Sequence, residues 1–205
     1  MTTSDSLEAL LRGAAPRSTA PPPGLVEAAA AAQLLDIAYG ELDSPVGRLL
    51  LAATPAGLVR LAYLDAGDEE AILADLAARV SPRMLAAPRK LDGARRELDE
   101  YFAGRRRRFE LALDWRLVGA FARRVLSATI AIPYGSVSTY LEVAGAAGSP
   151  RGSRAAGNAL GSNPLPIVIP CHRVLRSGGA LGGYTGGLDR KRALLAIERG
   201  QSPLM

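Results

Sequence analysis

The chain holds one cysteine and one histidine, and they are neighbours: Cys171 and His172, in the stretch IVIPCHRVL. A thiol attacks well only as the thiolate, and forming that near neutral pH needs adjacent positive charge or a base. His172 can be that base, and a histidine so used needs an acid to orient it. Residues 119–205 contain three acids, Glu142, Asp189 and Glu198. Of these Glu198, on the last helix, is best placed for burial. The IVI run reads as a buried strand that Pro170 ends, which sets the thiol where strand meets turn. Consecutive strand side chains point to opposite faces, so a bridging water or a sharp turn must connect Cys171 to His172. Plainer readings exist: a lone cysteine is often a small buried hydrophobe, and Cys with His also serves thiol proteases. A structural zinc site needs about four ligands, so one Cys and one His predict no metal.

These residues need elements to hold them. Residues 1–34 are rich in Ala, Pro and Ser, with APPPG at 20–24 and alanines at 28–32. SLEALL can form a short helix, but the segment as a whole reads as a flexible arm. LDIAYGEL, GRLLLAAT and GLVRLAYL, separated by DSPV and PA, predict an antiparallel meander. DEEAILADLAARV and KLDGARRELDEYF have helical spacing, and FELALD can return to the sheet. Residues 35–115 thus form a small α+β domain.

Residues 116–205 read as a second, mostly helical domain. AFARRVLSATIAI ends at the turn signal PYG. STYLEVAGAAG has Ser138 or Thr139 as N-cap and Gly148 as its close. SPRGSRAAGNALG gives a second small-residue helix with Pro150 near its first turn, ending near Gly161. Two short helices joined tightly, the second carrying Arg151 and Arg154, fit either a helix-turn-helix or an ordinary helical hairpin.

Charge is divided between the two parts. Residues 1–118 carry 15 Lys/Arg against 17 Asp/Glu, whereas residues 119–205 carry 10 against 3. A basic half suits a polyanion such as nucleic acid, or simply a soluble surface. No apolar run approaches the roughly 18 residues of a membrane span, and no signal peptide is apparent. With a single cysteine, the expectation is a soluble cytoplasmic protein with no membrane contact.

SNPLPIVIPCHRV, followed by GGYTGGLDRKRALLAIE, resembles the active-site region of the O6-alkylguanine-DNA alkyltransferases. The likeness covers residues 119–198 closely and 37–112 loosely, through DSPVGRLLLAAT and ELDEYFAGRRRRFEL. It implies direct, irreversible transfer of an alkyl group from O6-alkylguanine, and by extension O4-alkylthymine, to Cys171. His172 would take the thiol proton through a water, and Glu198 would hold the imidazole. Asn163 would brace the turn, and Tyr140 would rotate the target phosphate and protonate the leaving guanine. Arg154 would fill the space of the extruded base, with Arg151 and Ala155 beside it on the DNA. Val174, Tyr184, Thr185 and Gly186 would line the base pocket, and Lys191 matches a lysine near the active-site loop. The implied partner is double-stranded DNA with alkylated bases, bound through its minor groove by a monomer without cofactor.

Such a reading agrees with elementary physics. A base must leave the stack before a buried alkyl group can be reached. Binding through backbone contacts and one wedge also leaves repair independent of sequence. GAFARRVL departs from the family pattern: Phe121 and Val125 are kept, while Ala122 and Leu126 replace polar and aromatic residues. The cysteines of zinc-bearing relatives are absent. Two other functions compete, a non-catalytic lesion-binding protein and a damage-sensing regulator. Relatives of the first kind lack the cysteine, and the second normally needs a further DNA-binding module.

Overall fold

The computed structural model describes Pro22 and residues 24–32, 34–65 and 68–201. The expected SLEALL helix lies outside the described residues. Within the stretch expected as an arm, Leu25–Ala31 forms a helix, α1. Four of its seven residues are alanine, the best helix former, so intrinsic propensity prevails over the flanking prolines.

The three apolar runs form β1 (Ile37–Leu42), β2 (Leu49–Thr54) and β3 (Gly57–Tyr63), paired antiparallel in sequence order. β2 is apolar at successive positions because both faces of the sheet are covered. Leu49 and Leu51 join the large core that continues into the second domain, while Leu50 and Ala52 join a smaller core. That smaller core is closed by Ile72 and Leu76 of α2 (Asp68–Arg79), whose first turn carries Asp68, Glu69 and Glu70. A short fourth strand, β4 (Met84–Ala86), adds parallel to β1. With only three residues and no clear alternation, it leaves no readable period in the sequence. FELALD returns to the sheet through a single bridge, Leu58 with Leu113. There a Cβ on Gly57 would sit 2.3 Å from the Ala112 carbonyl oxygen, so only glycine fits.

A 3-10 turn at Pro88–Leu91 leads into α3 (Asp92–Phe102), which turns Ala94, Leu98 and Tyr101 inward. In the second domain α4 (Ala120–Ile130), α5 (Tyr140–Ala146) and α6 (Ser153–Gly161) pack on one another. Val125 and Leu126 of the GAFARRVL stretch are fully buried, so the departure is absorbed by apolar packing. Thr139 is the N-cap of α5 and forms a reciprocal capping box with Glu142. Gly148 takes a positive φ of 78°, and the Ser149 amide turns back to the Ala144 carbonyl, closing the helix.

Pro150 and Arg151 lie in the turn before α6, which begins only at Ser153. Pro150 thus lies near the first turn as expected, whereas the expected placement of Arg151 on the helix is corrected. The Gly152 amide bonds the Ser149 carbonyl and holds the chain in a turn at that point. A two-residue parallel pair, β5 (Ser138–Thr139) with β6 (Val174–Leu175), ties the start of α5 to the segment after His172. The last helix, α7, runs Leu188–Glu198.

Candidate active site

The IVI run is buried, but it is a tight turn and not the expected strand. Ile167 has φ 73°, a left-handed conformation that is uncommon for a β-branched residue. Amides of Val168 and Ile169 turn back to the carbonyls of Pro166 and Leu165. Asn163 holds this turn from inside: its Oδ1 accepts from the Leu165 amide at 3.0 Å, and its Nδ2 donates to the Ile169 carbonyl at 3.0 Å. The same Nδ2 donates to Cys171 Sγ at 3.2 Å. A strained turn is tolerated where the surroundings over-determine it, and here a single side chain supplies three bonds. Cys171–Arg173 then form one turn of 3-10 helix, in which successive side chains diverge by about 120°. Cys171 and His172 therefore point apart, although the reason is a helical turn and not a strand.

Cys171 lies at the base of an open cavity of about 870 Å³. Tyr140 and Leu141 of α5, Arg154 and Gly157 of α6, and Tyr184 and Thr185 of the following loop form its walls. Arg154 and Ala155 are exposed on α6, whereas Ala156, Ala159 and Leu160 face the core. Tyr140 donates to the Gly183 carbonyl at 3.4 Å, and Thr185 donates to that of Gly161 at 3.0 Å. Val174, Gly186 and Lys191 lie outside the cavity walls. The Lys191 ammonium is buried and donates to the carbonyls of Val174 (2.7 Å), Gly183 (3.3 Å) and Leu181, so it secures the loop from behind.

Behind the thiol is a buried network centred on Glu198. His172 Nε2 donates to its Oε1 at 2.8 Å, because an ionised carboxylate can only accept. Tyr101 donates to the same oxygen at 2.8 Å. Arg173 grips both carboxylate oxygens through Nε and Nη2, and the Gly135 amide completes the set at 3.0 Å. Burial works to raise the Glu198 pKa, yet the His172 and Arg173 bonds prevail and hold it down at about 2. Burial lowers the pKa of His172, offsetting its bond to Glu198, so the imidazole rests neutral. With Nε2 protonated, Nδ1 carries the lone pair, and it is a buried atom with no hydrogen-bond partner among the described residues. Burial pushes the Cys171 thiol up to about 11, against the Asn163 hydrogen bond and the charge of Lys191. Burial likewise brings Lys191 down to about 8, with Cys171 opposing. The arrangement is a resting thiol, a neutral base oriented by a fixed anion, and a cavity large enough for a purine.

Sequence reasoning found Cys171, His172, Glu198, Asn163, Tyr140 and Arg154, which the fold gathers around this cavity and network. It gave no role to Tyr101 or Arg173. Tyr101 shares the inward stripe of Ala94 and Leu98, and a buried tyrosine needs a partner for its hydroxyl. Spacing thus marks its burial, but the partner lies 97 residues away.

Comparison with known proteins agrees with this geometry. Residues 37–115 match the family model of the 6-O-methylguanine DNA methyltransferase ribonuclease-like domain, and residues 120–200 match that of its DNA binding domain. The chain is 42% identical over 167 residues to a methylated-DNA–protein-cysteine methyltransferase of Mycolicibacterium paratuberculosis, covering 82% of this chain and 95% of that one. It is 36% identical over 164 residues to the constitutive enzyme of that name from Bacillus subtilis, covering 78% and 94%. The crystal structure of Mycobacterium tuberculosis OGT in complex with DNA superposes with a TM-score of 0.69 at 39% identity, covering 81% and 95%. A two-domain α+β fold with a cavity-floor cysteine defines the class, a DNA alkyltransferase. The chain belongs to the methylated-DNA–protein-cysteine methyltransferase family of DNA repair enzymes.

Proposed function

We propose that this protein repairs duplex DNA by moving the alkyl group of O6-alkylguanine onto its own Cys171, once per molecule and irreversibly. The observation that carries the reading is the Cys171 thiol on the cavity floor, backed by the His172–Glu198 pair. In the reaction the Sγ–carbon bond forms as the carbon–O6 bond breaks. The thiol proton passes through a water to His172 Nδ1, whose buried lone pair calls for such a partner. Glu198, held ionised by Arg173 and Tyr101, stabilises the imidazolium that results. Tyr140 gives a proton to N3 of the departing guanine, which leaves neutral. The product is a thioether, and no group in the site can reverse it.

A paired base cannot enter such a cavity, so the lesion turns out of the stack at a cost of a few kcal/mol. Arg154, the long side chain on the exposed face of α6, occupies the vacated space from the minor groove, with Ala155 and Arg151 against the backbone. Tyr184 and Thr185 flank the extruded base. Val174, Gly186 and Lys191 act one layer further out, fixing the loop that carries those walls. O4-alkylthymine is a second lesion small enough for the same cavity. Among the described residues no helix is long and apolar enough to cross a membrane. A free reactive thiol suits the reducing cytoplasm, where the protein acts as a monomer. Incubation with excess O6-methylguanine duplex bearing a labelled methyl tests the reading: label on the protein should stop at one per chain. Continued turnover, or methyl released to solvent, would refute it.

A further inference from the structure

Tyr184 forms one wall of the cavity, and its hydroxyl is not free to choose a partner. It meets the hydroxyl of Tyr63 at 2.7 Å, across 121 residues and across the two domains. Tyr63 is the last residue of β3 and is buried. Its ring also lies edge-on to the Tyr184 ring, with centroids 6.2 Å apart, and Tyr184 in turn lies edge-on to His172. Gly186, two residues on, has no room for a side chain, since a Cβ there would sit 2.3 Å from Tyr63 Cε2. The Arg190 guanidinium lies over the Tyr63 ring, 4.5 Å from its centroid. Arg190 is itself tied to the first domain, donating to both carboxylate oxygens of Asp65 and to the Val46 carbonyl. The sheet of the first domain thus reaches under residues 184–190, the loop and the start of α7, and fixes them at a hydroxyl, a ring face and an ion pair.

We infer that Tyr63 is a positioning residue that sets the width of the alkyl-accepting cavity, and so decides how bulky an O6 substituent Cys171 can accept. The inference rests on the function proposed above. Only Tyr184 touches the cavity; Tyr63 acts through it. While the hydroxyl pair is closed, the Tyr184 ring cannot swing outward without breaking that bond and leaving two part-buried oxygens unpaired, which is costly. Removing the bond frees that wall, so a benzyl group gains room while a methyl group, already accommodated, gains nothing.

The test uses full-length protein and the free bases O6-methylguanine and O6-benzylguanine, which need no extrusion from DNA. Tyr63→Phe keeps the ring against Gly186 and Arg190 and deletes only the hydroxyl. The ratio of benzyl to methyl transfer rates should rise about fivefold, equivalent to the roughly 1 kcal/mol net value of one hydrogen bond. A general loosening of the fold would slow both bases together and leave the ratio unchanged. Tyr184→Phe removes the same bond from the other side and should shift the ratio alike, with the double variant shifting it no further. It also carries the test should Tyr63→Phe fail to fold. A ratio within about twofold of the parent in a folded variant overturns the inference alone. Failure of the parent protein to take methyl from O6-methylguanine in duplex DNA would instead remove the proposed function, and this inference with it.

Discussion

At Cys171 two demands conflict. Burial protects the thiol and raises its pKa to about 11, so almost none of it is thiolate at neutral pH. The reaction therefore depends on His172 taking the proton as the alkyl group arrives. A positioned general base contributes about 10²–10⁴ in rate, so His172→Gln and Glu198→Gln should each slow transfer by something in that range. Because they act on the thiol, they should slow free base and duplex lesion alike. Glu198 also links stability to pH. Its folded pKa, about 2, lies below the ordinary 4.5, so its stabilisation is complete above 4.5 and is lost as pH falls toward 2. Thermal melting across that window should show a steeper acid loss for the parent protein than for Glu198→Gln. Equal slopes would mean that the carboxylate is not held ionised by its partners.

Among the elements, α6 separates DNA handling from chemistry. Its Ala156, Ala159 and Leu160 face the core, and Arg154 stands out over the cavity. Arg154→Ala should slow repair of duplex DNA by roughly tenfold or more, because extrusion costs a few kcal/mol, while leaving reaction with a free modified base nearly unchanged. Rates must be compared at one ionic strength, since salt weakens duplex binding in every variant. Equal slowing of both substrates would make Arg154 a support of the site and not a wedge. Much of this scale was legible in the sequence. The meander followed from short apolar runs separated by turn residues, α5 from its cap, and the end of α6 from the glycine at 161. The turn at Ile167 was not legible, because an unbroken IVI reads as strand unless the Asn163 bonds that bend it are known. The β5–β6 pair was equally hidden, being two residues long and set by tertiary contact.

In the whole molecule, the first domain does more than fill space. Its α3 sends Tyr101 to Glu198, and its β3 sends Tyr63 to Tyr184. Neither partnership can be read from spacing, because both join residues about a hundred or more positions apart; sequence patterning gives the burial of a tyrosine and not its address. Tyr101→Phe should cost roughly 1.5–3 kcal/mol of stability, the value of a bond to a charged group, and should slow transfer to both substrates modestly. Unchanged melting and rates would show that Arg173 and His172 hold Glu198 without help from the first domain. The central claim is that Cys171 Sγ is the atom that receives the alkyl group. Its most direct test is to incubate the protein with O6-methylguanine duplex, digest it, and locate the modified peptide by mass spectrometry, alongside Cys171→Ala. The account predicts one added methyl on Cys171, and a Cys171→Ala protein that binds duplex DNA as the parent does but takes up no methyl. A methyl on any other residue, or uptake by Cys171→Ala, would contradict it.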